Sequence, residues 1–97
     1  MNKYVISVKQ IKAYGGYDLK DEEQTYHYAK LDNFGGVIID TASFGDYENH
    51  AEFNTPEEAK DFYIKHKDEL RRETREHMYD WNTLAIRKIK FKIAEKL

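Results

Sequence analysis

Ninety-seven residues with 16 basic side chains, 18 acidic ones and no cysteine suffice for one small domain and exclude disulfide staples and thiolate chemistry. A formal charge of −2 with 14% aromatic residues excludes a disordered polyelectrolyte, because chains that stay unfolded are poor in aromatic and β-branched residues. No run approaches the ~18 apolar residues of a membrane-spanning helix, and the N-terminus lacks the apolar block of a signal peptide, so the expectation is a single cytoplasmic domain over residues 1–97.

Residues 4–11 alternate as a strand does, with Tyr4, Ile6 and Val8 on one face and Lys3, Ser7 and Lys9 on the other. Tyr14-Gly15-Gly16-Tyr17 reads as a turn, and the acidic residues 18–23 as the rest of a solvated connection. Residues 24–31 form a second strand, in which Tyr26 and Tyr28 share a face opposite His27 and Ala29. After a turn over residues 32–36, Val37-Ile38-Ile39 is apolar on both sides and is expected to lie centrally in the sheet. Residues 40–53 fit a loop with a short edge strand.

Thr55-Pro56-Glu57-Glu58 is a strong helix start: Thr55 caps free amides, Pro56 has its φ already set, and the glutamates favour the positive end of the dipole. Ala59, Phe62, Tyr63, His66, Leu70, Thr74, His77 and Trp81 then recur at a helical period, which extends the expected helix to Asp80. At ~1.5 Å per residue such a helix is roughly 37 Å long, far longer than a six-residue strand, and its second half would overhang the sheet. A last strand is expected to point Ile89, Phe91 and Ile93 inward and Lys88, Lys90 and Lys92 outward. The fold class is therefore α+β: a small antiparallel sheet of three to five strands with one long helix packed across one face.

Catalytic chemistry has little to work with. Ser7 and Ser43 are the only serines, and neither lies in a nucleophile turn. Neither glycine pair opens a helix, so neither makes a phosphate cradle. Asp46, Glu48 and His50 alternate on one face of an extended segment, yet a solvated acidic loop explains them more simply than a metal site. His66 and His77 are separated by about 16 Å of helix and share no ion. The expectation is a protein that is not an enzyme, with no metal and no cofactor.

Charge is the feature that points to function. Residues 18–58 hold eleven acids (Asp18, Asp21, Glu22, Glu23, Asp32, Asp40, Asp46, Glu48, Glu52, Glu57 and Glu58) against Lys20 and Lys30, a formal −9. Residues 1–17 carry +3 and residues 59–97 carry +4. Such separation governs partners and association rates. Interleaved tyrosines supply rigid contact area at low entropic cost, and carboxylates along strands and loops approximate phosphate spacing. The candidate partner-binding face comprises Asp21, Glu22, Glu23, Asp46, Glu48 and Glu52 with Tyr17 and Tyr47 as anchors, directed at a host protein with a basic nucleic-acid-binding surface. The alternative is a DNA- or RNA-binding regulator that uses Lys88, Lys90 and Lys92 on the last strand with Arg71, Arg72 and Arg75 on the distal helix. Either form is expected as a monomer or a small homo-oligomer, away from membranes.

The Met-Asn-Lys-Tyr start, the cysteine-free body rich in Tyr, Lys, Asp and Glu, and the segment Phe53-Asn54-Thr55-Pro56-Glu57-Glu58-Ala59 together resemble small accessory proteins of phages and prophages in Gram-positive bacteria. The resemblance is one of character over the whole length. Among such proteins, anti-CRISPR proteins and similar inhibitors of host defence are often small acidic α+β domains. It implies a non-enzymatic inhibitor in the host cytoplasm that blocks a nucleic-acid-binding surface. The near-neutral total charge departs from the most acidic DNA mimics and leaves mimicry by one face.

Overall fold

The computed structural model describes residues 2–31, 36–40, 51–73 and 76–90. Four strands, β1 (Asn2–Gln10), β2 (Thr25–Leu31), β3 (Val37–Asp40) and β4 (Tyr79–Lys90), form one antiparallel sheet in the order β3-β2-β1-β4, and one helix, α1 (Pro56–Glu73), covers a single face. The α+β expectation holds.

Alternation sorts the side chains. Ile6 and Val8 of β1, Ala29 of β2, and Val37 and Ile39 of β3 join Ala59 and Leu70 of α1 in the core, together with Met78 and Tyr79. Phe53, Phe62, Tyr63, Trp81, Leu84 and Ile86 pack around them. His27 is buried with this group, and its Nδ1 lies 2.7 Å from the Tyr79 hydroxyl, so a polar pair spans the sheet from β2 to β4.

The other face of β1 is buried as well. Val5 and Ser7 are fully buried there. Arg87 of β4 donates from Nη1 to the Ser7 carbonyl (3.1 Å) and hydroxyl (2.8 Å) and from Nη2 to the Thr83 carbonyl (2.9 Å). Its guanidinium also lies 4.3 Å from the centre of the Tyr26 ring.

The β1–β2 ladder pairs residues 7–10 with residues 25–28. Beyond it, β2 pairs with β3, and Ala51 and Phe53 bond the two strands separately: the Ala51 amide donates to the Ala29 carbonyl (3.0 Å), while Phe53 and Tyr4 exchange bonds of 2.8 and 2.9 Å. This resolves part of the segment expected to be loop plus edge strand; residues 41–50 lie outside the described residues.

Three expectations are corrected. β3 is an edge strand, paired with β2 alone among the described residues; Val37 and Ile39 are buried because α1 packs over them, with the Val37 amide donating to Glu69 Oε1 at 3.0 Å. The α-helix spans Pro56–Glu73, about 27 Å at ~1.5 Å per residue, and residues 76–81 do not continue it. Glu76–Met78 is a 3-10 turn, His77 is exposed, and Trp81 belongs to β4, where its Nε1 donates to the Glu76 carbonyl at 2.9 Å. The Arg71 guanidinium covers the Trp81 ring at 4.4 Å and pairs with Glu76 at 3.1 Å, so a compact clamp joins the helix end to the strand. Lastly, Leu84 and Ile86 face the core, which places Lys88 in their series on the helix side of the sheet; the expected inward row began instead at Ile89.

The helix start is as expected. The Glu58 amide donates to Thr55 Oγ1 (3.2 Å), and Glu58 Oε2 accepts from the Asn54 amide (3.1 Å). Thr55→Ala should lower unfolding free energy by about 1 kcal/mol in urea titration; an unchanged midpoint would show that the cap contributes nothing. Tyr79→Phe removes the hydroxyl beside His27 from the core and should cost about 1–2 kcal/mol in the same assay, with the far-ultraviolet circular dichroism spectrum retained.

Candidate functional site: the protruding β1–β2 connection

Residues 11–24 continue past the sheet as a small, internally bonded protrusion. The Ile11 and Lys12 amides both donate to the Met78 carbonyl (2.8 and 3.2 Å), which fixes its base to the start of β4. Lys12 and Asp18 form an isolated antiparallel bridge, the Leu19 amide donates to the Ile11 carbonyl (2.9 Å), and the Ala13 amide donates to the Tyr17 carbonyl (2.9 Å). The turn closes with Gly16 donating to the Ala13 carbonyl (2.8 Å) at a φ of +90°, a conformation that glycine adopts without a Cβ penalty. Asp21–Glu23 then makes one 3-10 turn, in which the Lys20 amide donates to Glu23 Oε1 at 3.1 Å. Gln10 and Gln24 brace the connection from within through the Lys12 and Leu19 carbonyls.

Two tyrosines stand on this protrusion, Tyr14 with 67% and Tyr17 with 69% of its surface open, and Tyr17 lies over Gly15. Asp18, Asp21, Glu22 and Glu23 are exposed beside them. Asp18 is paired with Lys12 at 3.4 Å, and Lys20 is exposed on the same connection. Four acids against two lysines leave the protrusion at a formal −2. Its backbone bonds hold the tyrosines and acids in a fixed relation, which lowers the ordering cost of binding.

The structure brings together Tyr17, Asp21, Glu22 and Glu23 of the expected face and separates Glu52 from them. Glu52 is exposed beside Phe53, which bridges Tyr4 near the opposite end of β1. Gln10 and Tyr4 are six residues apart, about 20 Å at ~3.3 Å per residue. Glu57 and Glu58 follow Glu52 at the start of α1. The acids of residues 18–58 whose side chains are described therefore form two groups at the two ends of β1, not one face. Asp46, Tyr47 and Glu48, with His50, lie outside the described residues. Tyr14 was missed as an anchor; its position mirrors that of Tyr17 across the glycine pair, and that symmetry was the available signal.

The basic alternative is also divided. Arg71 is held by Glu76 and Trp81, and Lys88 is exposed on the helix side of β4. The side chains of Arg72 and Lys90, and the whole of Arg75 and Lys92, lie outside the described residues.

Histidines and hydroxyls near the core have structural partners. His66 Nδ1 meets Glu69 Oε2 at 3.2 Å, while Ser7 Oγ accepts from Arg87 and Thr83 Oγ1 accepts from the Lys9 amide at 2.8 Å. Among the described residues no three His, Asp or Glu side chains converge as a metal-binding group, and no helix is long and apolar enough to cross a membrane.

Comparison with family models, with curated proteins and with solved structures returns no match.

Gly16→Ala should strain the turn by about 1–2 kcal/mol because of its positive φ. Hydrogen exchange should then quicken at the Ala13 and Gly16 amides while the Val5 and Ile6 amides keep their protection. Uniform loss across the sheet would show that the protrusion does not loosen independently.

Proposed function

We propose that the protein is a non-enzymatic, protein-binding inhibitor that uses the β1–β2 protrusion to engage a basic nucleic-acid-binding surface on its target. The observation that supports this reading is the pairing of two widely exposed tyrosines with four exposed carboxylates on one internally bonded projection. Tyrosines anchor interfaces through large rigid contact area, and neighbouring acids steer approach to a positive surface and set its salt dependence. The split between the two acidic groups narrows the expected face: Tyr14, Tyr17, Asp21, Glu22 and Glu23 make the primary contact, and Glu52 lies too far off to share it. The resemblance to phage accessory proteins fits a target in host defence or nucleic-acid processing, as for anti-CRISPR proteins. Direct binding of DNA or RNA by the lysine strand is the weaker alternative, because Arg71 is already engaged by Glu76 and Trp81.

Immobilised protein exposed to a nuclease-treated Gram-positive lysate should retain a basic nucleic-acid-binding protein that high salt releases. Replacing Asp21, Glu22 and Glu23 together by lysine should abolish that capture, and Tyr17→Ala should reduce it about tenfold or more. Equal capture by the triple variant would overturn the reading, as would capture that depends on leaving the nuclease out.

A further inference from the structure

β4 is a long edge strand beside an apolar groove. Between α1 and β4 lies a cavity of about 300 Å³, lined among the described residues by Ile6, Lys60, Tyr63, Leu84, Ala85 and Ile86. The groove exists because α1 packs mainly over β3 and β1, leaving Leu84 and Ile86 only partly covered. Ile64, 55% exposed, stands outside the cavity between Lys60 and Lys67 on the helix surface.

The rim is basic. Lys60, Ile64, Lys67 and Arg71 follow the 4-3-4 spacing of one helical stripe. Lys60 lines the cavity and Arg71 reaches Trp81 of β4, so this stripe borders the strand. Asp61 and Asp68, at i−3 and i+4 from Ile64, adjoin this stripe on the side turned away from Tyr63 and the cavity. Lys88 follows Ile86 in the same series on β4 and is exposed. Arg71 is paired with Glu76, which leaves Lys60, Lys67 and Lys88 as the cations around the apolar floor.

The strand edge completes the site. β4 pairs with β1 alone among the described residues, so residues 84–90 present an outer row of backbone donors and acceptors. Earlier in β4 the irregular register is closed internally: Thr83 Oγ1 donates to the Asp80 carbonyl at 2.6 Å, and the Asn82 amide donates to Asp80 Oδ1 at 3.1 Å. The regular half of the strand is thus the half beside the groove.

We propose that this groove is a docking site for an extended acidic segment of another protein, which adds as a strand to the outer edge of β4. Its apolar side chains seat over Leu84, Ile86 and Tyr63, and its carboxylates meet Lys60, Lys67 and Lys88. Strand addition supplies affinity through main-chain hydrogen bonds and specificity through alternate side chains. An apolar floor inside a ring of cations selects a segment that alternates apolar and acidic residues. A nucleic acid is the poorer fit, because the floor is mainly aliphatic and the Trp81 ring is already covered by Arg71.

The test is a synthetic peptide that alternates glutamate with valine, titrated into isotopically labelled protein and followed by amide chemical shifts. The expected result is shifts centred on Leu84, Ala85 and Ile86 and on Lys60 to Lys67, weakened by salt. Lys60→Glu with Lys67→Glu, both exposed and neutral to folding, should weaken binding about tenfold or more. The same peptide with alternate amides methylated should not bind, and a lysine–valine peptide should not bind. The Asp21, Glu22 and Glu23 lysine variant should bind as the wild type does, which separates this site from the protrusion. Absence of shifts at millimolar peptide, equal binding of the lysine peptide, or stronger shifts at the same amides with oligothymidylate would each overturn the proposal.

Discussion

Val5, Ile6, Ser7 and Val8 leave almost no surface to water, and the rest of the domain is arranged around the need to cover both faces of that one strand. On one side, Ile6 and Val8 meet α1, and full burial of such side chains contributes about 1.5–3 kcal/mol each. On the other side no helix packs among the described residues, and Ser7 there brings a hydroxyl that must be satisfied if buried. Arg87 meets that need by covering Ser7 with a guanidinium whose donors end on the Ser7 and Thr83 carbonyls and the Ser7 hydroxyl. Bonds to a charged donor are stronger than neutral ones, so this contact reinforces the register that the β1–β4 ladder sets from Asn2–Lys90 to Ser7–Ala85. Everything that β4 carries, including its exposed edge, is positioned through that register.

The passage from α1 into β4 is the place where the chain departs most from its local pattern. Thr74, His77 and Trp81 extend the helical stripe numerically, and no glycine or proline follows residue 56 to mark a stop. The opposing signal is short: Tyr79, Trp81 and Thr83 alternate with Asp80 and Asn82, residue types that favour strands or resist helices. Tertiary contacts decide between them. Tyr79 pairs with His27 across the sheet, and Trp81 exchanges a helical position for a ring sandwiched by Arg71 and Tyr79, with its indole nitrogen satisfied by Glu76. His27 and Arg71 are too distant in sequence to show in a periodicity, and the nearer contacts of Trp81 with Tyr79 and Glu76 follow no helical spacing. The helix start, in contrast, was legible because Thr55, Pro56 and Glu58 interact within one turn.

The same distinction between local and long-range information governs the charges. Clustering of acids over residues 18–58 is plain in the sequence, but a strand of nine residues separates the ends of that region in space. Tyr17, Asp21, Glu22 and Glu23 stay together because a single connection holds them, whereas Glu52 is carried by Phe53 to the far end of β1. Linear charge density therefore picked out the acids that one loop holds together and overstated the grouping that required the fold to bring segments together. The edge position of β3 was hidden for a related reason: its apolar run signals burial, and α1 supplies that burial for Val37 and Ile39 on one face without a second neighbouring strand among the described residues.

Opposite charges consequently lie on different kinds of surface. The acids and tyrosines project on a connection whose backbone is bonded within itself, suited to entering a concave or positively charged surface on a larger partner. The lysines instead border a groove and a strand edge that is unpaired among the described residues, a shape suited to receiving an extended chain. A small domain whose central strand is consumed by its own core has few ways to bind others: it can use what extends beyond the sheet or what lies along its edge. A segment attracted to Lys60, Lys67 and Lys88 is repelled by Asp21, Glu22 and Glu23, so a ligand suited to one surface is disfavoured at the other. The polarised charge written along the chain is thus distributed by the fold over two places, the acids of the β1–β2 connection and the lysines Lys60 and Lys67 of α1 with Lys88 of β4.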